Sequence, residues 1–440
     1  MAKEKEIFKT SHLKLKEVNT SKTEVLHSFI KDYQNATIFY IDYLWNNKIY
    51  YKIKDIEKSF DIKNNKLDIP SMLSTVDITI NSNLSARALK CSMTQALAII
   101  NAHLDKNKRY EYIRNKLKSE GKRTRSISLR IKNKPIIYPD VSNIYPELNS
   151  ICCEYIDNPD TISHFDGLII LSSIGKSYGK IIIPINHNKH SRKLAKTGKL
   201  CSSFQISNDK ISFKYKFEKA ELKTKGRVVG ADQGINTCLT LSDEQTTPKC
   251  NHGHDLHSIT TKLANKKSGS KAFSRAKEHQ KNYVHWSINQ LDFTNIKQIN
   301  IESISNFRKG KNVGRFLNSF CESLIMEVTK TRCSLEGVLL KKQSSAYRSQ
   351  RCSSCGYVYS GNRKGKNFRC KHCNFTTDAD LNASLNHEIN LSSANFLRYL
   401  SNRPRKFFWK IEGIYDLEGQ EFTVPDKEKD IKYHKRYIKP

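Results

Sequence analysis

Three carboxylates and four thiols are the groups of this sequence whose type and spacing could do chemistry. Asp232 ends the apolar run Val228-Val229-Gly230-Ala231 and precedes Gln233-Gly234, the pattern of a buried strand that carries an acid into a turn, with a second strand over Asn236 to Leu241 making a hairpin. Glu302 stands at the end of another short strand, Lys297 to Ile301, in which Ile299 and Ile301 share a face. Asp380 lies in Asp378-Ala379-Asp380-Leu381-Asn382-Ala383, where Ala383 and Leu385 predict a helix whose start can turn the carboxylate inward. One at a time such acids are more often turn or surface residues. Their order along the chain allows the three to converge on one metal site. Mg2+ suits them, because it prefers oxygen ligands and binds through a few carboxylates together with substrate phosphates. Two such ions about 4 Å apart support phosphodiester hydrolysis.

Cys352-x-x-Cys355 and Cys370-x-x-Cys373, with fourteen residues between the pairs, have the spacing of a tetrahedral four-cysteine zinc ribbon. Four thiolates leave no open coordination position, so one structural Zn2+ is expected and the chemistry falls to the carboxylates. A rival metal group, His252, His254 and His257, sits in a loop without further ligands nearby and reads as a solvated or nucleic-acid-contacting segment. The other eight cysteines are scattered and read as small, partly buried apolar residues of a reducing compartment.

These groups need elements to hold them, and 440 residues suffice for two to four domains. Alternation from His12 to Val18 suggests a strand, and Leu26, Phe29, Ile30, Tyr33, Ile41 and Leu44 follow at helical spacing. Ala86 to Leu104 is the clearest further helix, and it runs into the basic stretch Arg109 to Arg125, which is either a solvated helix face or a phosphate contact, the scarcity of acidic partners favouring the contact. From Ser126 to about Leu222 short β-branched runs (Ser128 to Ile131, Gly167 to Leu171, Lys180 to Ile185, Ile211 to Phe217) between turn residues predict an antiparallel barrel or sandwich, with the helical block inserted into it. Phe273 to Trp286, between the first two acids in sequence, reads as a basic-faced helix that packs on the domain carrying them rather than doing chemistry.

The 76 Lys and Arg against 43 Asp and Glu give a formal charge of +33, which a polyanion would balance. Nucleic acid is therefore the expected partner and no membrane is, since no long apolar run or signal-peptide core occurs. A soluble, cytoplasmic protein of prokaryotic or phage origin is expected.

The succession Val228-Val229-Gly230-Ala231-Asp232-Gln233-Gly234, Ile299-Asn300-Ile301-Glu302-Ser303-Ile304, Ala346-Tyr347-Arg348-Ser349-Gln350-Arg351-Cys352-Ser353-Ser354-Cys355-Gly356 and Asp380-Leu381-Asn382-Ala383 resembles the TnpB family of transposon-associated, RNA-guided nucleases, ancestral to the type V CRISPR effectors. It covers residues of about 226 to 390. The resemblance implies that Asp232, Glu302 and Asp380 are the acids of a RuvC-type, RNase H-like nuclease and bind two Mg2+, and that Cys352, Cys355, Cys370 and Cys373 hold Zn2+ in an inserted ribbon. It implies an α/β multi-domain chain: a wedge-like β-barrel (1–20 and 126–222), a helical recognition insertion (21–125) and a nuclease domain (226–345 and 377–390) interrupted by a zinc ribbon that binds target nucleic acid (346–376). A basic C-terminal tail (391–440), with Arg403, Arg405, Lys406, Phe407, Phe408 and Trp409, departs from that pattern and reads as RNA-binding, as packing against another copy or as a loosely ordered terminus. Guide RNA and target double-stranded DNA would be the partners. The guide would come from a transposon end or, in a miniature type V effector, from a CRISPR repeat. A guided repressor that no longer cuts and a strand-joining transposase are the competing classes; the presence of all three acids speaks against the first. Arg348 departs from the family, which usually has Thr there. Monomer and homodimer are both compatible with the sequence.

Overall fold

A computed structural model describes residues 6–15, 19–46, 80–119, 138–158, 164–304 and 314–425, which form a mixed α/β chain of two compact units that divide between Phe217 and Glu218. Among the described residues no helix is long and apolar enough to cross a membrane.

In the first unit, strand β1 (Glu6–Lys14) joins an antiparallel-rich sheet of order β1-β7-β6-β2 with β2 (Glu147–Leu148), β6 (Lys199–Ile206) and β7 (Lys210–Glu218). A second, antiparallel sheet contains β3 (Cys153–Asp157), β4 (Gly167–Leu171) and β5 (Ile181–Ile185). Strict alternation buries Ile169 and Leu171 of β4 and Ile181, Ile183 and Ile185 of β5, as a strand with one covered face requires. Helices α1 (Thr20–Asn46) and α2 (Ala86–Ser119) pack together through Tyr40, Ile41 and Leu44 on one side and Met93, Ala96, Leu97 and Ile100 on the other. The apolar spacing of α1 is the one read from sequence, and Asn19 caps its start by accepting from the Lys22 amide at 3.0 Å. Helix α2 carries the basic run only as far as Ser119; its remainder, the run Ser128 to Ile131 and residues 16–18 lie outside the described residues. Helix α3 (Lys189–Ala195) completes the described helices of this unit.

The second unit is built on a four-stranded sheet of order β11-β10-β8-β9, where β8 is Arg227–Asp232, β9 Thr240–Leu241, β10 Ile296–Ser303 and β11 Leu339–Ser344. β10 runs parallel to both β8 and β11, while β9 returns antiparallel to β8. Period-two alternation divides the strands between two faces. Val229 and Ala231 of β8 with Ile299 and Ile301 of β10 enter one core with α4 (Leu256–Ala264), α5 (Lys271–Ile288) and α7 (Glu322–Glu336); α6 (Arg315–Asn318) joins α4 nearby. Gly230, Asp232, Asn300 and Glu302 therefore point to the opposite face, against α8 (Ala379–Glu388). Gly230 has a specific reason: a Cβ there would lie 1.9 Å from the Ser384 carbonyl oxygen, so only glycine lets α8 lie this close to β8.

The cysteine segment adds β12 (Tyr357–Tyr359) and a three-stranded sheet of β13 (Arg363–Lys364), β14 (Asn367–Arg369) and β15 (Thr376–Asp378). What the sequence suggested as a basic tail from residue 391 is, over residues 391–425, folded. Strand β16 (Lys406–Trp409) pairs antiparallel with β12 and with β17 (Ile414–Tyr415). Phe407, Trp409 and Ile414 share a core with Ala346, Tyr347, Val358, Phe396 and Leu397. Phe407 and Trp409 form the buried side of this strand, and Trp409 is 1% exposed.

Candidate functional site

Asp232 and Glu302 come together because β8 and β10 are parallel neighbours in register up to Ala231 and Ile301. One residue further, each strand carries an acid on the face that meets α8, Asp232 as the last residue of β8 and Glu302 as the last but one of β10. Both side chains are buried, at 9% and 8% exposure. Burial, then the charges of Glu302 and Asp380, hold the Asp232 carboxyl well above its usual range. Burial likewise pushes Glu302 up to about 7, against the opposing pull of a Gln233 amide bond and the Arg363 charge. Two carboxylates so placed repel each other and favour either a shared proton or a cation between them.

Gln233 fixes the second acid. Its backbone amide donates to Glu302 Oε1 at 3.0 Å, and its side-chain Nε2 donates to the Glu302 carbonyl at 3.0 Å. The residue after Asp232 thus sets the rotamer of an acid 69 residues away, a role no local signal announced.

Asp380 lies in the first turn of α8, where Asp378 is the N-cap and accepts from the amides of Asp380 and Leu381 at 2.8 and 3.1 Å. Asp380 is 6% exposed, near enough to raise both other acids, and its Oδ1 accepts from Arg363 Nη2 at 2.8 Å. Arg363, on the ribbon strand β13, passed unremarked in the sequence. A cleft of about 310 Å3 opens beside Asp380, with Asn236, Thr240, Lys249, Lys366 and Asp378 in its wall.

The tightest cluster of ligand-type atoms around these acids contains a group the sequence gave no reason to select. One donor atom each of Asp232, Glu302 and His387 lie within 4.8 Å of one another. His387 is 1% exposed, and burial, aided by the Arg348 charge, pushes its imidazole down to about 3, so the ring is neutral. It follows Asp380 by seven residues, two turns along the same helix face. His252, His254 and His257 do not form such a group among the described residues; His254 stacks edge-on with His279 and His257 tilts over Phe316.

The four thiols converge as their spacing predicted. Their sulfurs lie within 4.8 Å of one another, with Cys352–Cys373 at 3.7 Å and Cys355–Cys370 at 3.6 Å. Tetrahedral ligands 2.3 Å from a zinc ion would stand about 3.8 Å apart, so the cluster can hold one. Each pair closes into a knuckle ending in a left-handed residue, Gly356 at φ +80° and Asn374 at φ +59°, whose amide returns to the carbonyl of the first cysteine.

The Asp-x-Asn-Ala motif acquires a physical meaning here. Asn382 Nδ2 donates to the Arg351 carbonyl at 2.8 Å while its Oδ1 accepts from the Ser353 amide at 3.0 Å, and Asn386, one turn on, donates to the Arg348 and Arg351 carbonyls. The helix that carries Asp380 is thereby tied to the first cysteine knuckle. Arg348, where the motif departs from the family, donates to the carbonyls of Asn386 and Ser344 and lies over the Trp409 ring at 5.3 Å. A cation at the end of α8 suits the helix dipole, and the substitution is absorbed by the folded C-terminal segment.

Comparison with known proteins agrees with the motifs. Residues 324–387 match the family described as Cas12f1-like, TNB domain. A curated relative, the CRISPR-associated endodeoxyribonuclease Cas12f1 of Sulfoacidibacillus thermotolerans, is 34% identical over 93 residues; the match spans about a fifth of either chain, 21% of each. Among solved structures, a Cas12f1–sgRNA–target DNA complex aligns over 88% of this chain and 99% of its own at TM-score 0.48 and 12% identity. CasPhi-2 (Cas12j) bound to crRNA and phosphorothioate-DNA aligns over 87% and 91% at TM-score 0.47 and 10% identity. The segment bearing the cysteines and the third acid is thus similar to the Cas12f1-like TNB domains and to the matched part of Cas12f1, in keeping with the family that the motifs resemble.

Proposed function

We propose that this protein is an RNA-guided DNA endonuclease whose RuvC-type, RNase H-like site is formed by Asp232, Glu302 and Asp380. The observation that carries this is the meeting of Asp232 and Glu302 at the ends of two parallel strands, with Asp380 brought beside them by a helix bolted to the four-cysteine ribbon. The donor set fits a divalent cation, since two buried carboxylates whose charges oppose each other are relieved by one. Bound there, such an ion would polarise a phosphodiester and make water a better nucleophile. The chain's own residues do the rest. Asp232 and Glu302 offer oxygens from rigid strand ends, Gln233 holds Glu302 in one rotamer, and Arg363 donates to Asp380 and fixes its carboxylate beside the cleft. Lys249 and Lys366 in the cleft wall suit the backbone of a nucleic-acid strand. Mg2+ at the acids and Zn2+ at Cys352, Cys355, Cys370 and Cys373 are the proposed ions.

Of the two guided roles, the Cas12f1-like match favours a miniature type V effector with a CRISPR guide RNA over a transposon-encoded, TnpB-like nuclease. In either, the first unit would serve as the wedge and helical recognition region, its basic helix meeting guide RNA or heteroduplex backbone. The test is to purify the chain from cells that carry its native flanking DNA, sequence the RNA that co-purifies, and assay plasmid cleavage with Mg2+ beside Asp232→Ala. Cleavage that needs the RNA and fails in the variant supports the proposal, and the origin of the RNA chooses the role. Guide-dependent binding without cleavage would favour a repressor; absence of any discrete RNA would overturn the guided function.

A further inference from the structure

We propose that His387 is a nitrogen ligand of the cation held by Asp232 and Glu302, raising this centre's affinity for borderline first-row ions relative to Mg2+ above what its carboxylates alone would give; the proposal rests on the function of the two acids argued above. The donor atoms of His387, Asp232 and Glu302 lie within 4.8 Å of one another. Ligands about 2.1 Å from an octahedral ion are about 3 Å apart when adjacent and about 4.2 Å when opposite. Small rotamer changes therefore bring all three onto one ion. Asp380, by contrast, is engaged by Arg363 at 2.8 Å, so the nearest donors to an ion between the strand ends are two oxygens and one nitrogen.

The ring is held for this task from two sides. Its Nδ1 faces Gln343 Oε1 at 3.3 Å, and Gln343 is the registered neighbour of Glu302 on β11. With Nδ1–H donating to that amide oxygen, Nε2 keeps its lone pair, the arrangement in which a neighbouring acceptor fixes tautomer and orientation of a ligating histidine. The other support is the close approach of α8 to β8. Gly230 leaves 2.7 Å between a would-be Cβ and the His387 carbonyl carbon, so the backbone at residue 387 is pressed against the strand that ends in Asp232. A histidine that merely filled the core would need no such proximity to two acids. Imidazole suits first-row transition ions, with affinity rising from Mn2+ to Co2+, whereas Mg2+ prefers oxygen.

The test uses the purified full chain with Mn2+, Co2+ or Mg2+ added alone. Electron spin echo envelope modulation of the Mn2+-loaded wild type is expected to show a directly bound histidine nitrogen, which disappears in His387→Gln. Calorimetry is expected to show the Co2+ over Mg2+ affinity ratio falling about tenfold in His387→Gln. Should that variant fail to fold, Gln343→Leu keeps the ring but removes its Nδ1 partner, and a loss of about tenfold in Co2+ affinity is expected. No nitrogen modulation in the wild type, modulation that persists in His387→Gln, or an unchanged Co2+ over Mg2+ ratio overturns the proposal. Asp232→Asn separates the two levels: Mn2+ bound as tightly as in wild type refutes the acids as ligands, while Mn2+ lost in that variant but never nitrogen-coordinated refutes only His387.

Discussion

Replacing Asp232 by Asn should stabilise the metal-free protein at alkaline pH, the opposite of what most buried-residue substitutions do. Asp232 and Glu302 are buried side by side, and Glu302 is raised from its ordinary 4.5 to about 7. A raised carboxyl binds more protons in the folded chain than in the unfolded one. Its favourable contribution is therefore complete below pH 4.5 and is lost as pH rises through 7, at about 1.4 kcal/mol per pH unit in between. The full span is about 3 kcal/mol for Glu302. Asp232 is itself held well above its usual range by burial and by the charges of Glu302 and Asp380, so Asn at position 232 removes that carboxyl's own loss of stability on the alkaline side, a gain of about 1–2 kcal/mol at pH 8. At about 2–4 °C per kcal/mol for a unit of this size, a rise of roughly 2–8 °C in Tm is expected. The assay is thermal unfolding of wild type and Asp232→Asn in EDTA at pH 5 and pH 8. The difference should shrink at pH 5, where the acids are protonated, and reverse with excess Mn2+, which stabilises only the chain that binds it. An Asn variant less stable than wild type in EDTA at pH 8, or a wild type whose metal-free Tm climbs from pH 5 to pH 8 through this site, refutes the reasoning.

Gly230→Ala forces a Cβ to within 1.9 Å of the Ser384 carbonyl, so α8 must lift; a loss of about 3 kcal/mol or more in denaturant unfolding is expected, with cleavage falling in parallel. Asn382→Ala deletes the bonds to the Arg351 carbonyl and Ser353 amide, costing about 2–3 kcal/mol by chemical denaturation while zinc content, read by mass spectrometry, stays at the wild-type level. Cys370→Ser removes a sulfur 3.6 Å from that of Cys355, and zinc content should drop to near zero with loss of the ribbon's circular dichroism; a variant that retains zinc would show the cluster is not the site.

Much of the site was legible because strand ends and knuckles are local. The apolar run before Asp232, the Ile299–Ile301 alternation before Glu302 and the two Cys-x-x-Cys pairs need only a few consecutive residues to be recognised, and the helix starting at Asp378 follows from its cap and the small residues after it. The helical spacing of α1 was equally plain. The C-terminal segment could not be resolved from sequence because Lys, Arg and aromatic residues in alternation describe both a nucleic-acid contact and a packed strand; only its pairing with β12 shows which side of Lys406–Trp409 is buried.

The sequence by itself determined which groups are present, their order, and the local elements that end in them: acids at two strand ends and one helix start, and two metal-type knuckles. Tertiary structure alone decided what those groups meet. The parallel register of β8 and β10 makes neighbours of Asp232 and Glu302, seventy residues apart, and so creates the opposed charges. The absence of a side chain at Gly230 lets α8 close on the sheet and brings His387 to the acids, while Arg363 arrives at Asp380 from the ribbon. Such contacts depend on long-range packing, for which neither hydrophobic period nor residue type leaves a trace in the local sequence.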